Sequence, residues 1–135
     1  MTDKELIAAA LEAKDHAYAP YSHFPVGAAV LAGGKLYTGA NVENASYGAA
    51  ICAERSAILR AVFDGARRVD AVAVASDISP PATPCGMCLQ VIAEFAPEPD
   101  ELRVVLGNPA GELQTYTLAD LLPHGFGPRD LARHG

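Results

Sequence analysis

The sequence predicts an α/β chain, a three-layer α/β/α sandwich built on a mixed five-stranded sheet. Three observations carry this expectation. Helix-period and strand-period segments alternate along the chain, and Gly33-Gly34 stands between two short strand-like runs. Val69 to Ser76 is an almost unbroken apolar run, as expected of a strand covered on both faces. At 135 residues with 50% hydrophobic side chains, the chain has the length of one domain, 1–135, that buries its apolar surface without disulfide staples.

Taken in order, Thr2 and Glu5 have capping-box spacing, and Leu6, Ala9, Ala10, Ala13 and Ala17 recur at helical intervals. A helix over 3–18, ended by Pro20, follows. Strands are expected over 26–32 and 35–42, joined by a tight hairpin because glycine readily adopts positive φ. From Cys52 to about Phe63 the apolar residues predict a helix that needs cover on more than one side. Beyond the 69–76 strand, a proline-rich loop over 77–84 leads into a third helix over about 86–95. Strands over 103–106 and 113–116 flank the turn Gly107-Asn108-Pro109-Ala110-Gly111. The sequence contains no internal repeat or low-complexity tract.

The charge balance narrows the partners. Ten basic against sixteen acidic side chains leave a net charge of -6, which repels phosphate backbones, and the densest basic cluster is only Arg67-Arg68. No nucleic acid is expected as partner. No apolar run approaches membrane-spanning length, so no membrane partner is expected either. The first ten residues carry acidic side chains and lack a cationic stretch followed by an apolar one, so no secretory signal is expected. Three cysteines in such a chain suit a reducing cytoplasm, where thiolates remain available to a metal.

The chemistry concentrates in Cys52-Ala53-Glu54-Arg55 and Pro84-Cys85-Gly86-Met87-Cys88. Together they use every cysteine in the chain, and three thiolates with an open fourth position form the ligand set of a catalytic zinc. In mid-helix, residues two apart point roughly 200° away from each other, so Cys52 and Glu54 can share a site only at a helix start. Cys85 and Cys88, three apart, fall on one face of a first turn. Both motifs therefore bring a helix N-terminus to the metal, offsetting thiolate charge. A structural zinc would need a fourth protein ligand, for which only His16, His23, His124 and His134 are available, none near the cysteine motifs in sequence. Asn41 and Glu43, two apart at a strand end, face the same way and read equally as a ligand site or a polar turn. Phe24 reads from its position as a core residue bridging the first helix and strand, Tyr47 and Phe126 as surface or interface aromatics, and Arg55 as a surface arginine.

Cysteine-Xaa-glutamate followed by Pro-Cys-Xaa-Xaa-Cys resembles the zinc deaminases. With Pro20 to Ala29, Asn41 to Gly48 and Leu121 to Phe126, the chain is similar to the small, single-domain cytidine deaminases from about residue 4 to residue 131. The resemblance implies the same sandwich fold, with one Zn²⁺ per chain on Cys52, Cys85 and Cys88. It implies hydrolytic deamination of cytidine and 2'-deoxycytidine with release of ammonia, a pyrimidine salvage step in which a zinc-activated water adds to C4 and Glu54 shuttles protons. Arg55 would hydrogen-bond the ligand thiolates and restore acidity to that water. Asn41 and Glu43 would hold ribose hydroxyls; Phe24 would pack on the pyrimidine; the Ala53 N–H, and more weakly the Thr83 carbonyl, would meet the base edge. Tyr47 and Phe126 would reach a neighbour's pocket in a homotetramer. Leu89 departs from the arginine that many relatives carry there. A modified cytosine nucleoside as substrate, editing of bases in nucleic acid, and a non-enzymatic zinc module are the competing readings, the last opposed by Glu54 beside Cys52.

Overall fold

Side-chain alternation along the buried strands assigns the two faces of the sheet. In the computed structural model, which describes residues 1–134, Ala28, Val30, Val72, Val74, Val104 and Leu106 point to one face, and Ala29, Ala71, Ala73, Ala75 and Val105 to the other. The first face is covered by α2 (Ala53–Phe63) and α3 (Gly86–Glu94), through Ala57, Ile58, Leu89 and Ile92. The second is covered by α1 (Asp3–Lys14) through Leu6, Ile7 and Ala10. That second face is largely alanine, which lets the helix approach closely. At Gly27 a Cβ would collide with the Ala10 carbonyl. Burial on both faces explains the unbroken apolar run in the middle of the chain.

The sheet contains β1 (Gly27–Ala32), β2 (Lys35–Ala40), β3 (Ala71–Ala75), β4 (Arg103–Gly107) and β5 (Leu113–Thr117), in the order β2-β1-β3-β4-β5. Only β3 and β4 run parallel, so the sheet is mixed, as the sequence predicts. The β1–β2 hairpin closes at the Ala32–Lys35 pair, with Gly33 and Gly34 at φ 59° and 77°. Both glycines of the turn thus use the positive φ that a two-residue hairpin demands.

Several boundaries differ from the sequence expectation. α1 carries the capping box at Thr2 and Glu5 but ends at Lys14, well before Pro20. The chain leaves the helix because Tyr18 pairs with Asn41 and Glu43: its N–H donates to the Asn41 carbonyl (2.9 Å), and its carbonyl accepts from the Glu43 N–H (2.8 Å). β2 stops at Ala40, and Asn41 to Glu43 continue into an irregular three-strand ladder in which Val42 bridges both Tyr18 and Ile51. Three short helical segments escape the periodicity reading: a 3₁₀ turn at Tyr47–Ala49, α4 (Leu118–Leu121) and α5 (Pro128–His134). Leu89, which stands where the resemblance implies arginine in many relatives, is 8% exposed and packs into the α2–α3 core. No helix among the described residues is long and apolar enough to cross a membrane.

Candidate active site

Cys52 and Cys85 each stand as the N-cap of a helix. Cys52 has φ -72° and ψ 155° ahead of α2, and Cys85 has φ -68° and ψ 166° ahead of α3. Neither helix has a side-chain hydrogen bond at its cap, so the first-turn N–H groups stay free to meet the sulfurs. Cys88 follows in the first turn of α3 and is fully buried. The Sγ atoms of Cys52 and Cys85 are 3.9 Å apart, and those of Cys85 and Cys88 are 3.4 Å apart. A tetrahedral zinc with Zn–S bonds of about 2.3 Å separates its sulfurs by roughly 3.8 Å, so this spacing fits the metal. Among the described residues, the metal-ligating group within mutual reach comprises these three cysteines, and no histidine joins it.

The electrostatics favour the thiolate form of Cys85, on the exposed side of the cluster. Burial pushes the Cys85 thiol up, but the N–H groups of Cys88 and Met87 and the neighbouring thiols outweigh it, leaving Cys85 below the ordinary thiol range. Cys88 is held far above that range by burial, by the negative charge of Glu54 and by the other two sulfurs. Cys88 is buried, Cys52 half-buried and Cys85 exposed, and a cation among the three would offset thiolate charge beside the Glu54 carboxylate.

Glu54, the second residue of α2, is 4% exposed. Burial raises its carboxyl above the usual range, while its own backbone N–H, the Cys88 thiol and the Arg55 charge pull the other way. A carboxyl raised in this way holds a proton more firmly than a free one, which suits a group that both takes and returns a proton. The Arg55 Nη2 donates to Cys52 Sγ at 3.7 Å and to the Ala50 carbonyl at 3.2 Å. The hydrogen bond to the Cys52 sulfur is the main reason its guanidinium holds its proton more firmly than an ordinary arginine. Ala53, at the start of α2, is fully buried.

The irregular ladder brings the remaining polar residues to this end of the sheet, because Ile51, the residue before Cys52, exchanges both backbone hydrogen bonds with Val42 at 2.9 Å each. Asn41 and Glu43 flank Val42, and both reach the loop that carries Phe24. The Asn41 Oδ1 accepts from the Val26 N–H (2.8 Å), and its Nδ2 donates to the Phe24 carbonyl (3.0 Å). The Glu43 Oε1 accepts from the N–H groups of Tyr21 (3.0 Å) and Ser22 (3.1 Å), and its Oε2 accepts from the Ser22 hydroxyl. Phe24 is half-buried, and His23 beside it adopts φ 56°. The ring of Tyr47, 78% exposed, meets that of Tyr21 edge-on with centroids 6.1 Å apart. Phe126 is also exposed; its carbonyl accepts from Gln90 Nε2 (2.7 Å), and it lines a groove of about 570 Å³ that includes none of the cysteines. Thr83 is exposed in the loop before Cys85. Sequence reasoning missed Ser22 and Ile51; the clue to Ser22 is a hydroxyl two residues before Phe24, whose N–H it accepts at 3.1 Å.

Comparison with known proteins agrees with this geometry. The family model described as the cytidine and deoxycytidylate deaminase zinc-binding region matches residues 1–102. The chain is 46% identical over 132 residues to a cytidine deaminase of Halalkalibacterium halodurans, covering 97% of this chain and 98% of that protein. It is 47% identical over 133 residues to a cytidine deaminase of Sporosarcina psychrophila, covering 98% and 96%. The crystal structure of cytidine deaminase from Burkholderia pseudomallei superposes with a TM-score of 0.88 at 46% identity, over 93% of this chain and 100% of that one. A zinc-sized thiolate cluster on two helix caps, a buried carboxyl beside it and near full-length similarity lead to one conclusion: the chain is a cytidine deaminase-type enzyme and belongs to the cytidine and deoxycytidylate deaminase zinc-binding family.

Proposed function

We propose that the chain hydrolyses cytidine and 2'-deoxycytidine to uridine and 2'-deoxyuridine, releasing ammonia, as a step of pyrimidine salvage. The observation that carries this reading is the buried Glu54 carboxyl in the first turn of the helix capped by Cys52, whose sulfur lies 3.9 Å from that of Cys85. Cys52, Cys85 and Cys88 hold the metal. Zinc there supplies Lewis-acid activation of a water for addition to C4 of the base. Glu54 takes the proton of that water, delivers it to N3 and then helps to protonate the departing amine. Arg55 draws charge from the Cys52 thiolate and so opposes the loss of acidity that three thiolates impose.

Phe24 packs on the pyrimidine, and the Ala53 N–H with Glu54 addresses the base edge. Asn41 and Glu43 hold the ribose hydroxyls, for which an amide and an acceptor-only carboxylate are suited. The free nucleoside is favoured over phosphorylated or polymeric substrates by the net charge of -6. A single domain over 1–135 works in the cytoplasm as a homotetramer in which Tyr47 and Phe126 complete a neighbour's pocket. The exposure of Leu59 (55%) and Phe63 (93%) on the outer side of α2 supports assembly, because such side chains gain from cover.

The test follows ultraviolet absorbance as zinc-loaded protein is mixed with cytidine, 2'-deoxycytidine, CMP, dCMP and a cytosine-containing oligonucleotide. Conversion of the two nucleosides alone is the expected result. Preferential conversion of a nucleotide would overturn the substrate assignment, and no conversion at one zinc per chain would overturn the reaction.

A further inference from the structure

Ser22 stands outside every motif assigned so far, yet its hydroxyl joins two of them. It donates to Glu43 Oε2 and accepts from the Phe24 N–H at 3.1 Å, so its single proton and one lone pair are both committed. Glu43 Oε1 is held separately by the N–H groups of Tyr21 and Ser22. With one oxygen pinned by backbone and the other by the hydroxyl, the plane of the carboxylate is fixed. Removing the hydroxyl leaves Glu43 hinged on one oxygen, free to rotate. Phe24 keeps a second anchor, because Asn41 Nδ2 holds its carbonyl at 3.0 Å. The loss therefore falls on the carboxylate more than on the aromatic ring. His23, between the two, sits at φ 56°, a left-handed conformation that a non-glycine residue adopts at a cost and that holds the turn between Ser22 and Phe24.

We propose that Ser22 is a positioning residue that sets the orientation of Glu43 toward the sugar and thereby the enzyme's selectivity for hydroxyl-bearing nucleosides. This rests on the reading of Glu43 as a ribose-binding residue. It predicts a sugar-dependent defect, which a loss of folding or of base stacking would not produce.

The experiment compares zinc-loaded wild type, Ser22→Ala, Ser22→Thr, Glu43→Gln and the Ser22→Ala/Glu43→Gln double variant. Each is assayed with cytidine and with 2',3'-dideoxycytidine, scored as substrate or as competitive inhibitor. Loss of one charge-assisted hydrogen bond should raise KM for cytidine about tenfold in Ser22→Ala, with kcat changed less than about twofold. Affinity for the dideoxynucleoside should move less than about twofold, because it lacks the 2'- and 3'-hydroxyls that Glu43 would hold. Ser22→Thr, which keeps the hydroxyl, should restore the cytidine KM. In the Glu43→Gln background, Ser22→Ala should add little, since the two act as one unit. An unchanged cytidine KM in Ser22→Ala, or equal defects for both nucleosides, would overturn the proposal. An unchanged cytidine KM in Glu43→Gln would instead overturn the ribose reading beneath it.

Discussion

Val42 and Ile51 exchange both of their backbone hydrogen bonds, each at 2.9 Å, and Ile51 immediately precedes Cys52, the N-cap of α2. Through this pair the segment holding Asn41 and Glu43 is locked to the start of α2. The linkage is made by backbone, and the Val42 side chain itself is 49% exposed. Val42→Ala should therefore leave steady-state kinetics nearly unchanged. Val42→Pro removes the donor to Ile51 and should lower kcat/KM by on the order of 100-fold, the cost of roughly an ångström of misplacement in a catalytic array. Equal activity of the two variants would show that the pairing does not align the site.

Glu54→Gln preserves the shape of the buried side chain while removing its ability to accept a proton. Metal analysis should still give one zinc per chain, with turnover reduced by about a thousandfold or more, within the range general acid–base groups supply. Turnover close to wild type would exclude Glu54 as the proton carrier.

Arg55→Gln removes the cation from Cys52 Sγ and the Ala50 carbonyl. Zinc should remain bound, turnover at neutral pH should fall roughly 10- to 100-fold, and the rising limb of the pH–rate profile should move to higher pH. The sign follows from charge: without the guanidinium the thiolates donate more strongly, and the attacking water becomes less acidic. A profile displaced to lower pH would contradict this.

Gly39, in β2, packs against the first half of α2, where a Cβ would come within 2.6 Å of the Ala57 backbone nitrogen and 2.9 Å of the Ala53 carbonyl oxygen. Backbone cannot yield as a flexible side chain does. Gly39→Ala should destabilise the fold by about 2–3 kcal/mol in denaturant titration and weaken zinc binding, because α2 carries Cys52. A loss below about 0.5 kcal/mol would mean that the strand shifts freely away from the helix.

Much of this architecture is written in local pattern. The hairpin follows from Gly33-Gly34, the two-sided burial of β3 from its apolar run, the cap position of Cys52 from the requirement that Cys52 and Glu54 share a site, and the placing of Cys85 and Cys88 at the start of α3 from their spacing of three. What local pattern does not carry is pairing at a distance. α1 stops early because Tyr18 finds Asn41 and Glu43, more than 20 residues away, and those backbone bonds outweigh a helical periodicity that runs on to Ala17. Ser22 is unremarkable in sequence because its partner Glu43 lies 21 residues further on. α4 has four residues, too few for any period to register, although Thr117 and Asp120 form a capping box around its start. Leu89 shows the reverse case, where a departure in sequence turns out to be ordinary core packing.

Devoting every cysteine to one cluster also makes this chain its own metal gauge. All three thiols lie in the one cluster that could hold a metal, and none remains elsewhere as background. A thiol-reactive dye should meet sulfurs masked by zinc in loaded protein and nucleophilic ones in stripped protein, with Cys85 the most accessible. The reagent's uptake, between none and three per chain, then reads the loaded fraction of any preparation before a single substrate is added.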